Sequence, residues 1–221
     1  MIAICTTEKE INFTYEEGYL IYGGNYLIDK QNERKIITEI LTQHNDGSLV
    51  YVSADSFLIP DIDFGKYRFI NNGFFYKNIA YEEFLTYYHE DRMDKIKFYE
   101  QAQKDFLAAK LELYEELSDD MLQWRLDNLD QDEQDFIFDF LRLKNNDKYI
   151  TWAIKRIKNA MERNRKWYEV EKAFEYLTSF KDKRVMKFFT EYLSMDYWEN
   201  DIINNLIYDY FAAHEYDWME Q

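Results

Sequence analysis

The chain has few of the residues that interrupt helices or cross-link folds. Its 221 residues include one proline, Pro60, six glycines and one cysteine, Cys5. Few prolines and glycines favour long, uninterrupted elements, and a single cysteine excludes an internal disulfide. No run approaches the roughly 18 apolar residues of a membrane span, and the N-terminus lacks the basic region of a signal peptide. We therefore expect a soluble, cytoplasmic protein.

The motifs of common enzyme and metal sites are also missing. The sequence contains no H-E-x-x-H, Cys-x-x-Cys, G-x-S-x-G or glycine-rich phosphate loop. His44 falls in an expected turn, and the acids next to His89 and His214 point in other directions on a helix, so no histidine forms a metal site with its neighbours. Cys5 has no basic neighbour and is expected to be a buried strand residue. The sequence favours a binding protein over an enzyme, with no metal and no cofactor.

The sequence pattern of the first third of the chain predicts antiparallel β structure. Asp46-Gly47 supplies the positive-φ position of a hairpin turn between runs 36–41 and 49–52. Asn71-Asn72-Gly73 marks a second hairpin, and Gly23-Gly24 indicates a turn or bulge. The other β-prone runs are 11–14, 19–22, 66–70 and 74–76. We expect an antiparallel meander over residues 1–79, as a small curled sheet or open barrel.

The period of the apolar residues changes from 2 to 3.6 near Tyr81, which predicts a long helix ending near Ser118. Asp130 precedes a second apolar helical run, and Asn145-Asn146-Asp147 separates it from the next. Short breaks between the later helices imply antiparallel neighbours. The predicted fold class is therefore α+β, with a β module at 1–79 and an array of six or seven helices at 80–221. A core is available, because 47% of the residues are hydrophobic and 19% aromatic.

Residues 173–177 and 188–193 resemble a HEAT-type helical pair in their apolar spacing and in the turn aspartate Asp182 between them. Asn200-Asp201 then opens a helix like the start of a next repeat. The chain lacks the helix-kinking proline of that family and has no second clear copy. The resemblance, near residues 169–211, implies a HEAT-like antiparallel stack in the last third of the chain.

Charge is strongly sorted along the second half of the chain. Residues 112–140 hold 11 acids against Arg125 alone, residues 141–187 hold 14 basic residues against 6 acids, and residues 188–221 hold 8 acids and no Lys or Arg. The whole chain has a net charge of −16. Like-charged surfaces of this kind steer and select partners.

The acidic segments are therefore the expected partner-binding parts. The middle segment combines acids with Trp124 and other aromatics on short helices, and the C-terminal segment combines them with amphipathic Tyr and Trp side chains, which supply binding hot spots. The candidate partner-binding residues are Asp119, Asp120, Asp127, Asp130, Asp132, Glu133, Asp135, Asp139, Tyr197, Trp198, Asp209, Tyr216, Asp217 and Trp218.

The basic run from Lys155 to Lys166 leaves three alternatives open. It packs beside the acidic helices within one chain, or it pairs with a second copy in a homodimer with crossed charges, or it binds nucleic acid. The flanking acidic segments disfavour direct nucleic-acid binding. Some of the acids, notably Asp119 and Asp120, also fit a plain role in stabilising helix N-termini.

In composition and layout the chain resembles the small acidic immunity proteins of bacterial toxin–immunity systems, some of which use HEAT-like helices. The resemblance carries no residue-level motif; it implies stoichiometric inhibition of a basic, nuclease-type toxin. One alternative is a phage anti-defence protein that mimics DNA or blocks a nucleic-acid-guided nuclease. Regularly spaced surface carboxylates would favour mimicry, and acids around an aromatic pocket would favour a toxin inhibitor. Two further alternatives are an enzyme with a site between the β module and the helices, and a scaffold.

Overall fold

The computed structural model describes residues 2–8, 12–45, 49–59, 63–70, 73–77, 96–163, 167–195 and 200–214, with the backbone alone at 96–103 and 105. The strands are β1 (Ile2–Cys5), β2 (Gly18–Leu20), β3 (Gly23–Ile28), β4 (Lys35–Gln43), β5 (Leu49–Ser53), β6 (Phe57–Leu58), β7 (Tyr67–Ile70) and β8 (Gly73–Tyr76). The helices within these ranges are α1 (Ile96–Tyr114), α2 (Asp119–Asn128), α3 (Gln131–Leu143), α4 (Ile150–Glu162), α5 (Glu171–Thr178), α6 (Lys183–Leu193) and α7 (Asp201–Ala213).

The strands form a three-stranded sheet in the order β2-β1-β6 and a five-stranded sheet in the order β5-β4-β3-β8-β7. Every pairing is antiparallel. Antiparallel sheets followed by seven helices in the described ranges confirm the predicted α+β class. Both predicted hairpins are confirmed by their flanking strands, β4–β5 and β7–β8, although residues 46–48 and 71–72 of their turns lie outside the described residues.

Two expectations about the β region were wrong. Gly23 and Gly24 do not form a turn but begin β3, between β4 and β8. A Cβ on Gly23 would lie 2.7 Å from the Phe74 carbonyl oxygen, so the close approach of the neighbouring strand requires glycine there. Residues 12–14 form a loop rather than a strand; Asn12 has φ 71° and Glu16, just beyond, has φ 65°. The bulge lies further along β3, between Asn25 and Tyr26.

The helical predictions were better, because caps and periodicity are local signals. The predicted start of the long helix near Tyr81 lies outside the described residues, and α1 ends at Tyr114. The Ser118 side chain then accepts a hydrogen bond from the Met121 N–H and caps α2. The turn aspartate Asp182 caps α6 in the same way, and Asn200 caps α7. No helix in the described part of the chain is both long and apolar enough to cross a membrane.

The chain divides into two compact units, Met1–Asp130 and Gln131–Gln221. The first unit contains both sheets together with α1 and α2. The boundary between the two compact units therefore follows Asp130, whereas the change from strands to helices occurs earlier, between β8 and α1. The first unit carries 25 acids and 13 basic residues, a net charge of −12, and the second carries 18 acids and 14 basic residues, a net charge of −4. Most of the excess negative charge therefore belongs to the first unit.

Two contacts join α1 to the β region of the first unit, and a third joins the residues just after α1 to it. The Tyr76 hydroxyl donates a hydrogen bond to Glu112 at 2.8 Å, and Lys66 forms an ion pair with Glu116 at 2.6 Å. The rings of Tyr22 and Phe106 lie 4.9 Å apart. These contacts join residues far apart in sequence, which explains why periodicity alone did not assign the helix to this unit.

The second unit is held by an aromatic core shared by α3, α5, α6 and α7. Phe174 on α5 is fully buried and stacks on Phe189 of α6, with ring centroids 6.0 Å apart. Phe189 in turn meets Tyr210 of α7 edge-on at 5.0 Å. On the other side, Phe138 of α3 packs against Tyr176 at 5.3 Å. Large aromatic side chains in these positions bury much apolar surface and fix the helix neighbours.

Candidate protein-binding surface

Helix α2 separates an apolar face from an acidic one. Leu122, Arg125 and Leu126 are buried, and the acids of the helix are exposed. Asp119 and Asp120 lie in the first turn, where the helix dipole favours negative charge. Asp127 lies eight residues after Asp119 and accepts a hydrogen bond from Gln123 at 3.0 Å. Since residues four apart share a helix face, the acids lie on the outer side of α2.

Arg125 fixes the position of α2 on strand β2. Its side chain is only 4% exposed, and Nη2 donates a hydrogen bond to the Gly18 carbonyl oxygen at 3.0 Å. Its guanidinium carbon lies 5.6 Å from the centre of the Tyr114 ring. Burial lowers the pKa of Arg125, while the nearby Tyr22, Tyr19 and Glu17 act in the opposite direction. Arg125, the one cation of the acidic segment 112–140, is thus buried in the contact between α2 and β2.

The loop that leads into β2 carries acids and an exposed aromatic side chain, and its end at Glu17 and Gly18 lies beside Arg125 of this helix. Tyr15 and Glu16 are exposed, and the charge of Glu16 is the main cause that raises the pKa of Tyr15, followed by a hydrogen bond to Glu16. Glu17 is half-buried; burial raises its pKa and Arg125 lowers it. Neither Tyr15 nor Glu16 was predicted from the sequence as a partner-binding residue, because about a hundred residues separate this loop from α2.

Trp124 contacts Tyr19 of β2, whose hydroxyl in turn holds the preceding loop. It is half-buried on α2, and its ring lies 6.4 Å from the ring of Tyr19. Tyr19 accepts a hydrogen bond from the Thr14 N–H at 2.6 Å and donates one to Asn45 at 2.8 Å, which holds the loop in place. We call the set formed by Tyr15, Glu16, Asp119, Asp120, Trp124 and Asp127 the acidic α2 surface.

The four predicted acids of α3 belong to the second unit, and only Asp132 is exposed on its first turn. Glu133 is 2% exposed and is part of the interior of this unit, so the surface role expected for it does not fit this fold. The sequence did contain the signal, because Glu133 is four residues before Ile137 and seven before Phe140, both buried. Asp130, the last residue of the first unit, is half-buried.

Asp135 is half-buried and belongs to an internal polar cluster. It accepts a hydrogen bond from the Gln131 amide, whose oxygen accepts one from Arg156 of α4. Burial raises the pKa of Asp135 to about 6; Asp132 acts in the same direction, and the Gln131 hydrogen bond, Arg156 and Lys172 oppose it. Burial therefore disfavours the ionised form of this side chain, and a half-buried carboxyl group bonded to Gln131 offers little to a partner.

Asp139 is also engaged within the second unit. Lys172 of α5 lies 3.4 Å from it and 2.9 Å from Glu175, and Glu175 accepts a hydrogen bond from Arg142 at 2.8 Å. The basic run contributes elsewhere, since Lys158 pairs with Glu191 of α6 at 3.0 Å. Acidic and basic segments therefore meet within one chain: Arg156 of the run acts on Asp135 and bonds Gln131, whereas Asp139 pairs with Lys172, which lies outside the run.

The C-terminal candidates are only partly described. Asp209 is exposed on α7, beside the exposed Tyr208. Tyr197, Trp198, Tyr216, Asp217 and Trp218 lie outside the described residues.

The cysteine and two histidines have structural surroundings. Cys5 is fully buried on β1, as predicted, and its thiol donates to the Thr7 carbonyl oxygen at 3.3 Å. His44 packs edge-on against Phe13 at 4.7 Å, and His214 packs against Tyr210 at 4.7 Å, while His89 lies outside the described residues. In the parts of the chain that the structure describes, no group of three His, Cys, Asp or Glu side chains is placed to hold a metal ion.

Comparison of the chain with protein-family models, with curated proteins and with solved structures gives no match.

The surroundings of Asp135 predict a pH dependence. Because the pKa of Asp135 is raised from 3.8 to about 6, its contribution to stability is complete below pH 4 and is lost as the pH rises through 6. Asp135→Asn keeps an acceptor for Gln131 and removes the buried charge. We expect it to raise the free energy of unfolding at pH 8 by on the order of 1 kcal/mol and to flatten its pH dependence.

Urea unfolding of both proteins between pH 4 and pH 8 measures this effect. Glu162→Gln, at an exposed position of the same unit and not among the groups that act on Asp135, is the control and is expected to leave the pH profile unchanged. A wild-type profile that is unaffected by Asp135→Asn would show that Asp135 does not titrate in this range.

Proposed function

We propose that the protein is an acidic binding protein, not an enzyme, that inhibits a basic protein of the nuclease type, as an immunity protein neutralises a toxin. An enzyme that acts on nucleic acid needs a positively charged cleft for the phosphate backbone. A rigid acidic surface with aromatic anchors can occupy such a cleft and be steered into it. The acidic α2 surface has this composition, in the unit that carries a net charge of −12.

The observation that carries the proposal is the placement of charge on α2. Asp119, Asp120 and Asp127 are exposed, and the one cation of the helix, Arg125, is buried beneath them. The acids of α2 therefore lie at the surface, whereas Asp135 and Asp139 on α3 are half-buried and interact with Gln131, Arg156 and Lys172. Trp124 and Tyr15 add the amphipathic aromatic area that is typical of binding hot spots.

The same geometry favours inhibition of a protein over mimicry of DNA. Asp119 and Asp127 are separated by about 12 Å along the helix, at a rise of ~1.5 Å per residue. Of the four predicted acids on α3, one is buried and two are half-buried within their own unit. The exposed acids of α2 share their helix with Trp124, and most of the predicted acids of α3 are withdrawn from the surface. Neither helix presents the regular row of exposed carboxylates that would imitate a phosphate backbone.

Reversal of charge on α2 tests the proposal. Affinity capture from the lysate of the native host, at low and at high salt, identifies the basic partner that the wild type retains. We expect the variant Asp119→Lys/Asp120→Lys/Asp127→Lys to associate with that partner at least about tenfold more slowly, because steering by the exposed acids is lost. Association and dissociation rates measured at two ionic strengths give the result.

A control variant carries the same change of charge elsewhere. Asp55, Asp147 and Glu162 are exposed and lie outside the acidic α2 surface, so their replacement by lysine is expected to slow association much less. The proposal also requires that a stoichiometric amount of the protein abolishes the nucleic-acid-cleaving activity of the captured partner. Equal slowing by both triple variants, or a captured partner that keeps its activity, would contradict it.

A further inference from the structure

The helices of the second unit form two rows that differ in charge. Helix α5 packs against α3 and α7, and α4 packs against α6. Helices α3, α5 and α7 together carry eight acids and two basic residues. The helices α4 and α6 with their adjoining residues, 147–163 and 181–191, hold nine basic residues and four acids. The positive charge of this unit is therefore concentrated in the α4–α6 row.

Two contacts set α4 and α6 side by side. Arg184 Nη1 of α6 donates a hydrogen bond to the Thr151 hydroxyl of α4 at 3.1 Å, and Lys158 pairs with Glu191 at 3.0 Å. On each helix these contacts are seven residues apart, about two turns, so the two helices run in the same direction. Exposed polar residues recur on each helix at intervals of three or four and share a face. We call this set the basic α4–α6 surface: Thr151, Lys155, Lys158, Lys183, Arg184, Lys187 and Thr190.

The exposed side chains of α4 and α6 are of the kinds that contact phosphate. All of them are Lys, Arg, Thr or Asn except Glu162 at the end of α4, and these four types supply many of the phosphate contacts of nucleic-acid-binding proteins. Both helices lie wholly within the described residues, and none of their apolar side chains is exposed. A protein partner would find no aromatic anchor here, and a lipid surface would find no apolar side chain to take up.

The acids beside this surface do not cancel its charge. Glu191 is half-buried and lies 3.0 Å from Lys158 and 3.9 Å from Lys187, so two lysines share one carboxylate. Asp182, also half-buried, accepts hydrogen bonds from Arg184 Nε and Nη2 at 3.0 and 2.9 Å. Ion pairs of exposed lysines are worth only about 0 to 1 kcal/mol, so the lysines can exchange a carboxylate for a phosphate at little cost.

We propose that the basic α4–α6 surface binds the phosphate backbone of a double-stranded nucleic acid, without selecting its sequence. A duplex fits better than a single strand, because single-strand binding relies on bases stacked on exposed aromatic rings, and these helices expose none. The acidic flanks of the basic run argued against nucleic acid, but the acids of α3 and α7 belong to the other row. This inference goes beyond the proposed inhibition of a basic partner, which uses the acidic α2 surface of the first unit, and either can fail alone.

The net charge of −16 opposes the approach of a nucleic acid over long distances. At physiological ionic strength this repulsion is screened beyond about 8 Å, and the contact of lysines with phosphates lies within that distance. Dissociation constants of sequence-independent binding are on the order of 10⁻⁴ to 10⁻⁶ M at physiological salt. We therefore expect weak binding that depends steeply on salt.

Fluorescence anisotropy of labelled duplexes of about 24 base pairs, titrated with the full chain between about 20 and 200 mM salt, measures this binding. Duplex DNA and duplex RNA of one sequence are compared, and the tighter of the two identifies the kind of nucleic acid. We expect Lys155→Gln/Lys158→Gln/Lys187→Gln to raise the dissociation constant at low salt by at least about tenfold. The slope of log K against log salt is expected to shrink by about 2 to 3, because about 0.9 is lost with each phosphate contact.

Matched variants separate a local surface from an effect of total charge. Lys30→Gln/Lys77→Gln/Lys104→Gln removes the same charge from exposed positions of the first unit and is expected to change the dissociation constant less than about twofold. Glu162→Lys adds charge four residues after Lys158, on the same face, and is expected to tighten binding about threefold or more and to steepen the slope by about 1. Asp55→Lys makes the same change of charge at an exposed position of the first unit and is expected to have little effect.

Urea unfolding of each variant shows that the loss of binding is not a loss of fold. Failure of the wild type to bind either duplex at the lowest salt overturns the proposal. So does an equal effect of the two triple variants, or of Glu162→Lys and Asp55→Lys. Polyglutamate is the probe for an acidic protein as the partner; if it competes with the duplex as well as unlabelled duplex does, the surface is not one for nucleic acid.

Discussion

Arg125→Ala is expected to lower the free energy of unfolding of the first unit by about 2 to 4 kcal/mol. The change removes the hydrogen bond to the Gly18 carbonyl oxygen, the contact with the Tyr114 ring and the charge that partly offsets the burial of Glu17. Without Arg125 the pKa of Glu17 is expected to rise further. Urea unfolding gives the loss, and hydrogen exchange of β2 and α2 amides shows where it occurs.

Two comparison variants sharpen the measurement. Arg125→Met keeps the aliphatic volume and removes a charge that is costly to bury, so its loss of stability is expected to be smaller than that of Arg125→Ala. Lys104→Ala, at an exposed position of α1, is expected to change stability by no more than about 0.5 kcal/mol. If Arg125→Ala unfolds at the same urea concentration as the wild type, Arg125 does not fasten α2 to β2.

Phe174→Ala is expected to destabilise the second unit by about 3 to 5 kcal/mol, as for other deletions of a buried phenyl ring. Phe174 is fully buried and contacts Phe188, Phe189 and Tyr192. Its removal leaves a cavity between α5 and α6 that these rigid rings fill only partly. Thermal and urea unfolding measure this loss of stability, which is expected to be far larger than that of a substitution at the surface of the same unit.

Tyr168→Ala provides the comparison for this aromatic deletion. Tyr168 is a half-exposed aromatic residue of the same unit, and its replacement is expected to cost less than about 1 kcal/mol. Phe174→Leu, which keeps part of the volume, is expected to lie between the two. Similar losses for Phe174→Ala and Tyr168→Ala would mean that the aromatic core does not carry the stability of this unit.

Local signals predicted the elements of the fold well. The β-branched run 36–41 and the Asp46-Gly47 turn predicted the β4–β5 hairpin, and Asp182 predicted the start of α6, because strand preference, turn geometry and capping depend on neighbours in sequence. Gly23 was misassigned because its reason for being glycine is the Phe74 carbonyl oxygen of another strand. The placement of α1 and α2 with the sheets depends on contacts of Arg125, Lys66 and Tyr76 that no local pattern encodes.

In the candidate site, too, local sequence patterns predicted some features and contacts between distant residues decided the others. Asp119 and Asp127 were predicted as exposed acids and are exposed, since the apolar spacing of α2 determines which face it buries. Asp135 and Asp139 were predicted as partner-binding acids, yet their environment depends on Arg156 and Lys172 of other helices. Tyr15 became a candidate only because the fold packs α2 on β2, the strand that follows the Tyr15 loop.

The order of elements, the antiparallel character of the sheets and the sign of the charge follow from composition, periodicity and caps, which act within a few residues. The exposure of each acid depends on contacts between residues far apart in sequence. Burial and pKa depend on the side chains that surround a carboxylate in space, so Glu133 became an interior residue and Asp127 an exposed one although they are six positions apart in one acidic segment.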